Sequence, residues 1–283
     1  IAHMQAQKII IDPKNENKRY FRDILQFKGL FYFLAWRDVR VRYKQTTIGV
    51  LWALIRPLLT IFVLSLIRIL FTKEETSAIP VPLMIAAGTL PWTFFSSAFS
   101  DASNSLVSNS NLVSKVYFPR IIVPASSIIV CLIDFFVSFV IVVGVMIYYR
   151  VVPGIEIIYL PAFLLLAIIA AFGCGLYIAS LNVKYRDFRY VIPFIVQFGM
   201  YVSPVIYSSN EIYASAAIPG WLKHLYSLNP MVCVIDGFRW SMFGEQVPLD
   251  AGKFLISLGV SVIILIIGII TFRRMEKDFA DVI

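Results

Sequence analysis

Long runs of apolar residues dominate the chain and alternate with short polar and basic segments. A bilayer core of roughly 30 Å takes about 20 apolar residues to cross as a helix. The runs therefore predict an all-α integral membrane protein with six transmembrane helices, at 49–71, 81–103, 119–149, 157–181, 190–208 and 253–272. The third run is long enough to tilt or to project beyond the bilayer.

Lysine and arginine gather in alternate connections between these spans. Many precede the first span, whereas the next loop has only Lys73 beside two glutamates; the pattern continues with Lys115, Arg120, Lys184, Arg186, Arg189, Arg273, Arg274 and Lys277. Because Lys and Arg favour the cytoplasmic side, both termini are predicted to be cytoplasmic. Residues 1–28 are polar and basic, which indicates a cytoplasmic tail rather than a cleavable signal peptide.

Composition agrees with this class. Of the 283 residues, 59% are hydrophobic and 15% are charged, against about 25% charged in soluble domains. The net charge of +8 lies beside the apolar runs, so it indicates topology and contact with anionic lipid rather than nucleic-acid binding. The three cysteines, Cys131, Cys174 and Cys233, have no CxxC spacing and are interpreted as small buried hydrophobes, not metal ligands.

Two segments outside the spans have patterns of their own. Residues 29–44 begin apolar and aromatic and then turn basic, as expected of a helix in the cytoplasmic membrane interface. Residues 209–252 contain several prolines and glycines, and their apolar runs are too short to span. Short re-entrant or interfacial helices on the external side are predicted there, where an exit gate would lie.

The connector at 105–117 between the second and third spans predicts a short amphipathic helix. At 100° per residue, one stripe holds Leu106, Val113, Val116 and Tyr117. Such a helix either docks into a groove on a soluble partner or rests on the lipid surface. Periodicity favours neither interpretation.

No catalytic motif occurs in the sequence. GxxxxGK[ST], HExxH and GxSxG are all absent, so we expect no catalytic residue, no metal site and no ATP binding through a P-loop in this chain. Asp134 is the deepest ionisable residue of the spans. It is interpreted either as an ion relay or substrate contact or, by preference, as a structural hydrogen bond between helices.

Four blocks of sequence resemble the permease subunit of type 2 ABC exporters for polysaccharides, the Wzm and TarG group that handles O-antigens, capsules and teichoic acids. They are RDVRVRYKQTTIGVLWALIRPLL (37–59), NSNLVSKVYFPRIIVP (109–124), LNVKYRDFRYVIPFIVQFGMYVSPVIYS (181–208) and NPMVCVIDGFRWSMFG (229–244). They follow the family's order and spacing from near residue 30 to the C-terminus, so the resemblance marks 29–283 as one transmembrane domain.

The resemblance implies a permease in the bacterial inner membrane that moves lipid-linked polysaccharide outward. Two copies would form the pore, and two copies of a separate ATPase subunit would bind ATP and Mg; this chain would hold no cofactor. Residues 29–44 would be the interface helix, 105–117 the coupling helix and 209–252 the gate helices. The residues implied to touch the ATPase are Leu106, Val113, Val116, Tyr117, Arg186 and Asp187.

Aromatic side chains are the candidate lining of a sugar channel, because rings stack on the apolar faces of sugars. The candidates are Trp52, Phe62, Trp92, Phe94, Phe95, Phe198 and Tyr201. For each ring, a place in the membrane interface or in the core is the more common alternative. Arg56 lies inside the first span and is the candidate for recognising a pyrophosphate headgroup; positive-inside bias is the alternative.

Three rival functions remain at this point. An ABC exporter of drugs or small lipids has the same hydrophobic pattern and differs in cargo. An ion-coupled lipid-sugar flippase would depend on Asp134 and on an ion gradient. A membrane glycosyltransferase would turn over without ATP, and the sequence has no acidic metal-binding motif to support it.

Overall fold

The computed structural model describes residues 20, 23–44, 50–71, 79–185, 187–247 and 249–279, without the side chains of 50–53 and 245. Regular structure in these ranges is helical, which confirms the all-α prediction. The α-helices are α1 (Lys28–Lys44), α2 (Val50–Phe71), α3 (Val81–Ser108), α4 (Ser110–Lys115), α5 (Ile122–Tyr148), α6 (Leu160–Lys184), α7 (Phe188–Val202), α8 (Ser209–Ala214), α9 (Gly220–Ser227), α10 (Pro230–Phe243) and α11 (Ala251–Met275). Short 3-10 turns, Ile155–Tyr159 and Gly244–Gln246, precede α6 and α11.

Helix α3 lies at the centre of the fold. It packs most extensively against α5 and α6, less against α2 and α10, and least against α7. Its buried face alternates small and large side chains, so that neighbouring helices approach closely and the rings fill the space between them; examples are Ala86, Ala98, Ala102, Phe94 and Phe99. Small residues at helix crossings are a common means of packing in membranes, where burial of apolar surface from lipid gives little drive.

Helices α6 and α11 approach each other closely at two glycines. A Cβ added at Gly173 of α6 would lie 2.7 Å from the Leu265 backbone of α11. A Cβ added at Gly268 would contact the carbonyl oxygen of Gly173. Only glycine fits at this crossing, which therefore fixes where α11 lies along α6.

A cluster of buried apolar side chains closes the end of the fold where α3 ends and α5 begins. This end of the fold is called here the connector end. It joins α1, α3, α4 and the residues after α11 through Leu34, Leu106, Val113 and Phe279, among others. Glu276 ties these pieces together, since its Oε2 accepts from the Tyr20 hydroxyl at 2.8 Å and its Oε1 from the Arg120 backbone N–H at 2.7 Å. Burial raises the pKa of Glu276, although both hydrogen bonds oppose the shift.

The spans agree with the sequence in position but differ in length. Five helices of the described chain are long and apolar enough to cross a membrane; the fifth predicted span, 190–208, is instead the 15-residue helix α7. At 1.5 Å per residue α7 is about 22 Å long, which is shorter than the roughly 30 Å hydrocarbon core. The helix ends at Val202, and Ser203 and Pro204 follow it.

The predicted connector at 105–117 is divided between two helices. Residues 105–108 complete α3, the chain bends at Asn109, and Ser110–Lys115 form α4. The backbone N–H of Asn109 still bonds Ser105 and Leu106, so the bend follows directly on the end of α3. The predicted stripe is divided as well, since Leu106 and Val113 are buried whereas Val116 and Tyr117 are exposed.

Candidate functional site

Helix α7 presents a stripe of aromatic side chains on its exposed face. Tyr190, Phe194, Phe198 and Tyr201 are 58–80% exposed, and at 100° per residue they lie within about 80° of one another. The rings of Phe194 and Phe198 stack in parallel at 5.8 Å. Gln197 adds a polar group to the same exposed side of the helix. The stripe gives α7 a surface that stacks on apolar faces and also accepts or donates hydrogen bonds.

The aromatic residues predicted to line a channel fall into two groups. Phe62 on α2 and Phe198 and Tyr201 on α7 are exposed. Trp92, Phe94 and Phe95 are buried inside α3's packing, where Phe94 meets Phe135 edge-on at 5.7 Å. For these three buried rings, a channel role requires that α3 expose them in another conformation. The side chain of Trp52 lies outside the described residues. All seven rings therefore remain candidates, of which three are exposed and three are buried in this conformation.

The candidate headgroup residue Arg56 is exposed on α2. Much of α2 shares this exposure, including Leu59, Phe62, Leu66 and Leu70. A guanidinium on an exposed helix face within a span is available to an anionic group. Arg56 is therefore exposed, and the next basic residue along α2 is Arg68.

A buried arginine braces the far end of α7. Arg239 of α10 is 1% exposed. Its Nη1 donates to the Tyr207 carbonyl at 2.9 Å, its Nη2 to the Val205 carbonyl at 3.0 Å, and its Nε to the Met84 carbonyl at 3.3 Å. Backbone carbonyls that a helix break leaves without partners are costly in lipid, and the guanidinium supplies three donors at once. Arg239 therefore holds the segment after α7 against α3.

An ion pair joins α2 to the first short helix after this segment. Arg68 donates from Nη2 to Glu211 Oε1 at 2.7 Å and from Nη1 to Oε2 at 3.1 Å. Glu211 Oε1 also accepts from the Ser208 backbone N–H at 2.9 Å and so caps α8. One carboxylate therefore both starts α8 and ties it to α2. The paired forks of guanidinium and carboxylate fix the mutual orientation of the two helices.

A second polar cluster, called here the Arg42 junction, consists of Arg42, Tyr43, Asp101, Cys131 and Asp134. Arg42 of α1 donates from Nη1 to Asp134 Oδ2 at 2.6 Å and from Nη2 to Asp101 Oδ2 at 3.0 Å. The Tyr43 hydroxyl donates to Asp134 Oδ1, and the Cys131 thiol lies 3.3 Å from Asp101 Oδ2. Asp134 thus bonds between helices, in keeping with the preferred interpretation of this residue.

The residues implied to couple to a partner do not form one surface within this chain. Leu106 and Val113 are buried in the connector-end cluster, whereas Val116 and Tyr117 are 48% and 69% exposed just after α4. Asp187 is exposed before α7. Arg186 lies outside the described residues. Among the described members of this set, Val116, Tyr117 and Asp187 are the ones a partner can reach in this conformation.

Sequence reasoning missed several of these residues for identifiable reasons. Arg239 and Glu211 were passed over because a charged residue in a mixed loop gives no periodic signal. Arg42 is one of the many basic residues that precede the first span, where topology is a sufficient explanation for each charge. Tyr190 and Phe194 were missed although their four-residue spacing with Phe198 was visible. That four-residue spacing is the pattern in the sequence that indicates an aromatic stripe on one helix face.

Comparison with known proteins identifies relatives over nearly the whole chain. The profile of the ABC-2 type transporter family matches residues 29–243. The O-antigen export system permease protein RfbA of Myxococcus xanthus is 26% identical over 264 residues, covering 93% of this chain and 98% of the relative. An RfbA of Klebsiella pneumoniae is 23% identical, covering 87% and 92%. The capsule polysaccharide export inner-membrane protein CtrC of Neisseria meningitidis is 24% identical, covering 91% and 95%.

Proposed function

The chain belongs to the ABC-2 type transporter family, and from this premise we propose that it is the permease subunit of an ATP-driven exporter of lipid-linked surface polysaccharide. Family membership establishes a multi-pass transport subunit. The cargo is inferred from relatives named for O-antigen and capsule polysaccharide export, which match at 92–98% of their own length. That end-to-end match is the observation that carries the proposal.

The exposed faces of α2 and α7 support a pore between two copies of this chain. Only 22% of residues Leu54–Phe71 of α2 are buried. The outer face of α7 carries the aromatic stripe. A helix of about 22 Å cannot cross the bilayer alone, and a lipid-facing position would expose Gln197 to hydrocarbon. A second copy, together with the transported chain, covers both faces.

The aromatic stripe supports a sugar as cargo. Sugar rings expose C–H groups on their faces, and aromatic side chains stack on such apolar surface without fixing a single register. A polymer that must slide past the protein needs contacts of this kind. Phe62, Phe198 and Tyr201 are the predicted lining residues that lie on exposed faces.

The energy source in this proposal is a separate ATPase subunit, present in two copies and binding ATP with Mg. The distribution of basic residues supports a cytoplasmic location for the connector end, and Val116, Tyr117 and Asp187 are exposed there for contact. α1 lies along α5 at the same end and corresponds to the predicted interface helix. The short helices α8 and α9 would then lie on the external side as gate helices.

Depletion of this chain in its native host tests the proposal. We expect surface polysaccharide to fall while lipid-linked polymer accumulates on the cytoplasmic side, with recovery when the wild-type gene is restored. Normal surface polysaccharide together with altered drug susceptibility would contradict the cargo and favour a drug or small-lipid exporter. Export that stops with a proton ionophore while ATP is maintained would contradict the energy source.

Arg56 gives a residue-level prediction for this function. Arg56→Ala should reduce export of surface polysaccharide, because a pyrophosphate headgroup loses an exposed guanidinium partner. Binding of the ATPase should be unchanged, as checked by co-purification. The matched control is Arg150→Ala, which removes an exposed cation from the loop after α5. Export at the wild-type level in Arg56→Ala would remove the headgroup role.

A further inference from the structure

The Arg42 junction joins three helices at one guanidinium. Arg42 comes from the last turn of α1, Asp101 from α3 and Asp134 from α5. The three side chains are 30–37% exposed, so they are neither freely solvated nor sealed in the core. Because both carboxylates bond the same guanidinium, moving α1 pulls on α3 and α5 together.

A second contact fixes α1 nearer to the connector. Arg37 Nη2 donates to Asn109 Oδ1 at 2.7 Å, at the bend between α3 and α4. From Asn109 to Asp101 is about 12 Å along α3, at 1.5 Å per residue. Leu34, one turn before Arg37, is 1% exposed and packs with Leu106 and Val113. α1 is therefore held at the connector by Leu34 and Arg37 and deeper in the spans by Arg42.

Resting on the proposed function, we propose that Arg42 is a positioning residue that transmits movement of α1 and the connector to the spans α3 and α5. Two attachments at different depths prevent α1 from pivoting about either one. A displacement at the connector end then moves the spans rather than tilting α1 alone. Asp101 and Asp134 are the acceptors of this movement, and Tyr43 adds a second bond from α1 to Asp134.

This role differs from the interpretation of Asp134 as an ion relay. A relay requires a carboxylate that exchanges protons or ions during transport, whereas here Asp134 accepts from both Arg42 and Tyr43. A contact that transmits movement needs opposite charges on the two helices, and either helix can carry the positive charge. Exchanging the charges therefore separates the two roles.

The experiment uses the purified complex of this chain with its ATPase and measures polysaccharide exported per ATP hydrolysed. In Arg42→Ala we expect the complex to assemble and hydrolyse ATP while the export-to-hydrolysis ratio falls about tenfold, within the range typical of coupling between sites. The matched control is Arg40→Ala, which removes the same charge from α1, where Arg40 stacks on Trp36 of its own helix. The control should keep the wild-type ratio.

Charge exchange provides the decisive variant. The double variant R42D/D134R keeps one guanidinium and two carboxylates and should recover at least half of the wild-type ratio, whereas R42D alone should not. Asp134→Asn keeps the size of the side chain and should lower the ratio even where Arg42→Ala fails to assemble. An unchanged ratio in Asp134→Asn, or an assembled double variant no better than R42D, would overturn the role of Arg42. Failure of the proposed function would instead appear in the wild-type complex, as an absence of ATP-dependent export.

Discussion

Helices α7 and α11 both leave one face uncovered in this chain, yet the two faces differ in chemistry. The exposed face of α11 is aliphatic over residues 255–270, with Leu255, Ile263 and Ile266 at 50–65% exposure. That of α7 carries four aromatic rings and Gln197. An aliphatic face is suited to lipid tails, whereas rings with a neighbouring amide are suited to protein or sugar. Exposure alone therefore does not distinguish the two faces, whereas the kind of side chain exposed does; under the proposed function, the face of α7 is the candidate transport surface.

The attachments of the two helices differ as well. α11 packs extensively on α6, most tightly at the Gly173–Gly268 crossing, and is held at its end by Glu276. α7 packs less extensively, on α3 and α6, and Arg239 holds the segment that follows it. α11 is therefore packed by close backbone contact, whereas α7 makes fewer contacts and the segment after it is held by Arg239.

The largest effect is expected at the α6–α11 crossing. Gly268→Val places a side chain against the Gly173 carbonyl, so the helices must separate, which costs about 3 kcal/mol or more. We expect loss of monodisperse protein after solubilisation, measured by size-exclusion chromatography. Gly259→Val is the control, because a Cβ at Gly259 meets nothing within 4 Å. Equal yields of the two variants would contradict the close packing assigned to α11.

The brace after α7 should give the next largest effect. Arg239→Met leaves the Tyr207 and Val205 carbonyls without this donor, and a buried acceptor left without a partner costs about 1–3 kcal/mol. The thermal midpoint of the purified protein should fall accordingly, with Arg239→Lys intermediate because an ammonium cannot reach all three acceptors. Arg189→Met, at an exposed position on α7, is the control. A midpoint unchanged in Arg239→Met would show that the segment after α7 does not depend on this side chain.

A smaller effect, confined to transport, is expected on the exposed face of α7. Phe198→Ala should leave the thermal midpoint unchanged and reduce export about two- to tenfold, the equivalent of the ~0.5–1.5 kcal/mol that an aromatic contact contributes. Ile263→Ala on α11 removes a side chain of similar exposure, 57% against 58%, and should change neither. If both variants reduced export equally, the contrast between the two faces would carry no functional meaning.

The smallest effect is expected from the titration of Glu276 beyond α11. Burial raises the pKa of Glu276 above its ordinary 4.5, so the folded protein favours the protonated carboxyl. The stability contributed by this group is full below pH 4.5 and is lost as pH rises through the raised pKa. As pH rises from 5 to 8, the wild-type midpoint should therefore fall more than that of Glu276→Gln. Parallel pH profiles for the two proteins would contradict this.

The sequence was sufficient for the broad fold because the apolar runs exceed the length that a bilayer requires. Five of the six predicted spans appear as long helices at the predicted positions. The shortness of α7 was not visible, since Pro204 and the apolar residues after it continue the run without a helix. Hydropathy does not register this end: Pro204 disfavours the helical conformation at Ser203, and Arg239 binds carbonyls of the segment that follows.

The ion pairs between distant helices could not be predicted from the sequence for a related reason. Arg42 and Asp134 are 92 residues apart, and Arg68 and Glu211 are 143 apart. No periodicity connects such residues, and each alone is explained by snorkelling or topology. The aromatic stripe of α7, in contrast, lies within one helix and is readable at four-residue spacing. Local patterns were therefore predictable and long-range charge pairs were not.

The most direct test of this account asks whether α7, and not α11, faces a second copy of the chain. In a background with Cys131, Cys174 and Cys233 replaced by serine, single cysteines are introduced as Phe198→Cys and Ile263→Cys and treated in intact membranes with a short flexible bis-maleimide. The account predicts a cross-linked species of twice the 32.1 kDa chain mass from Phe198→Cys and none from Ile263→Cys. Cross-linking from Ile263→Cys alone would place the second copy against α11 and contradict the account.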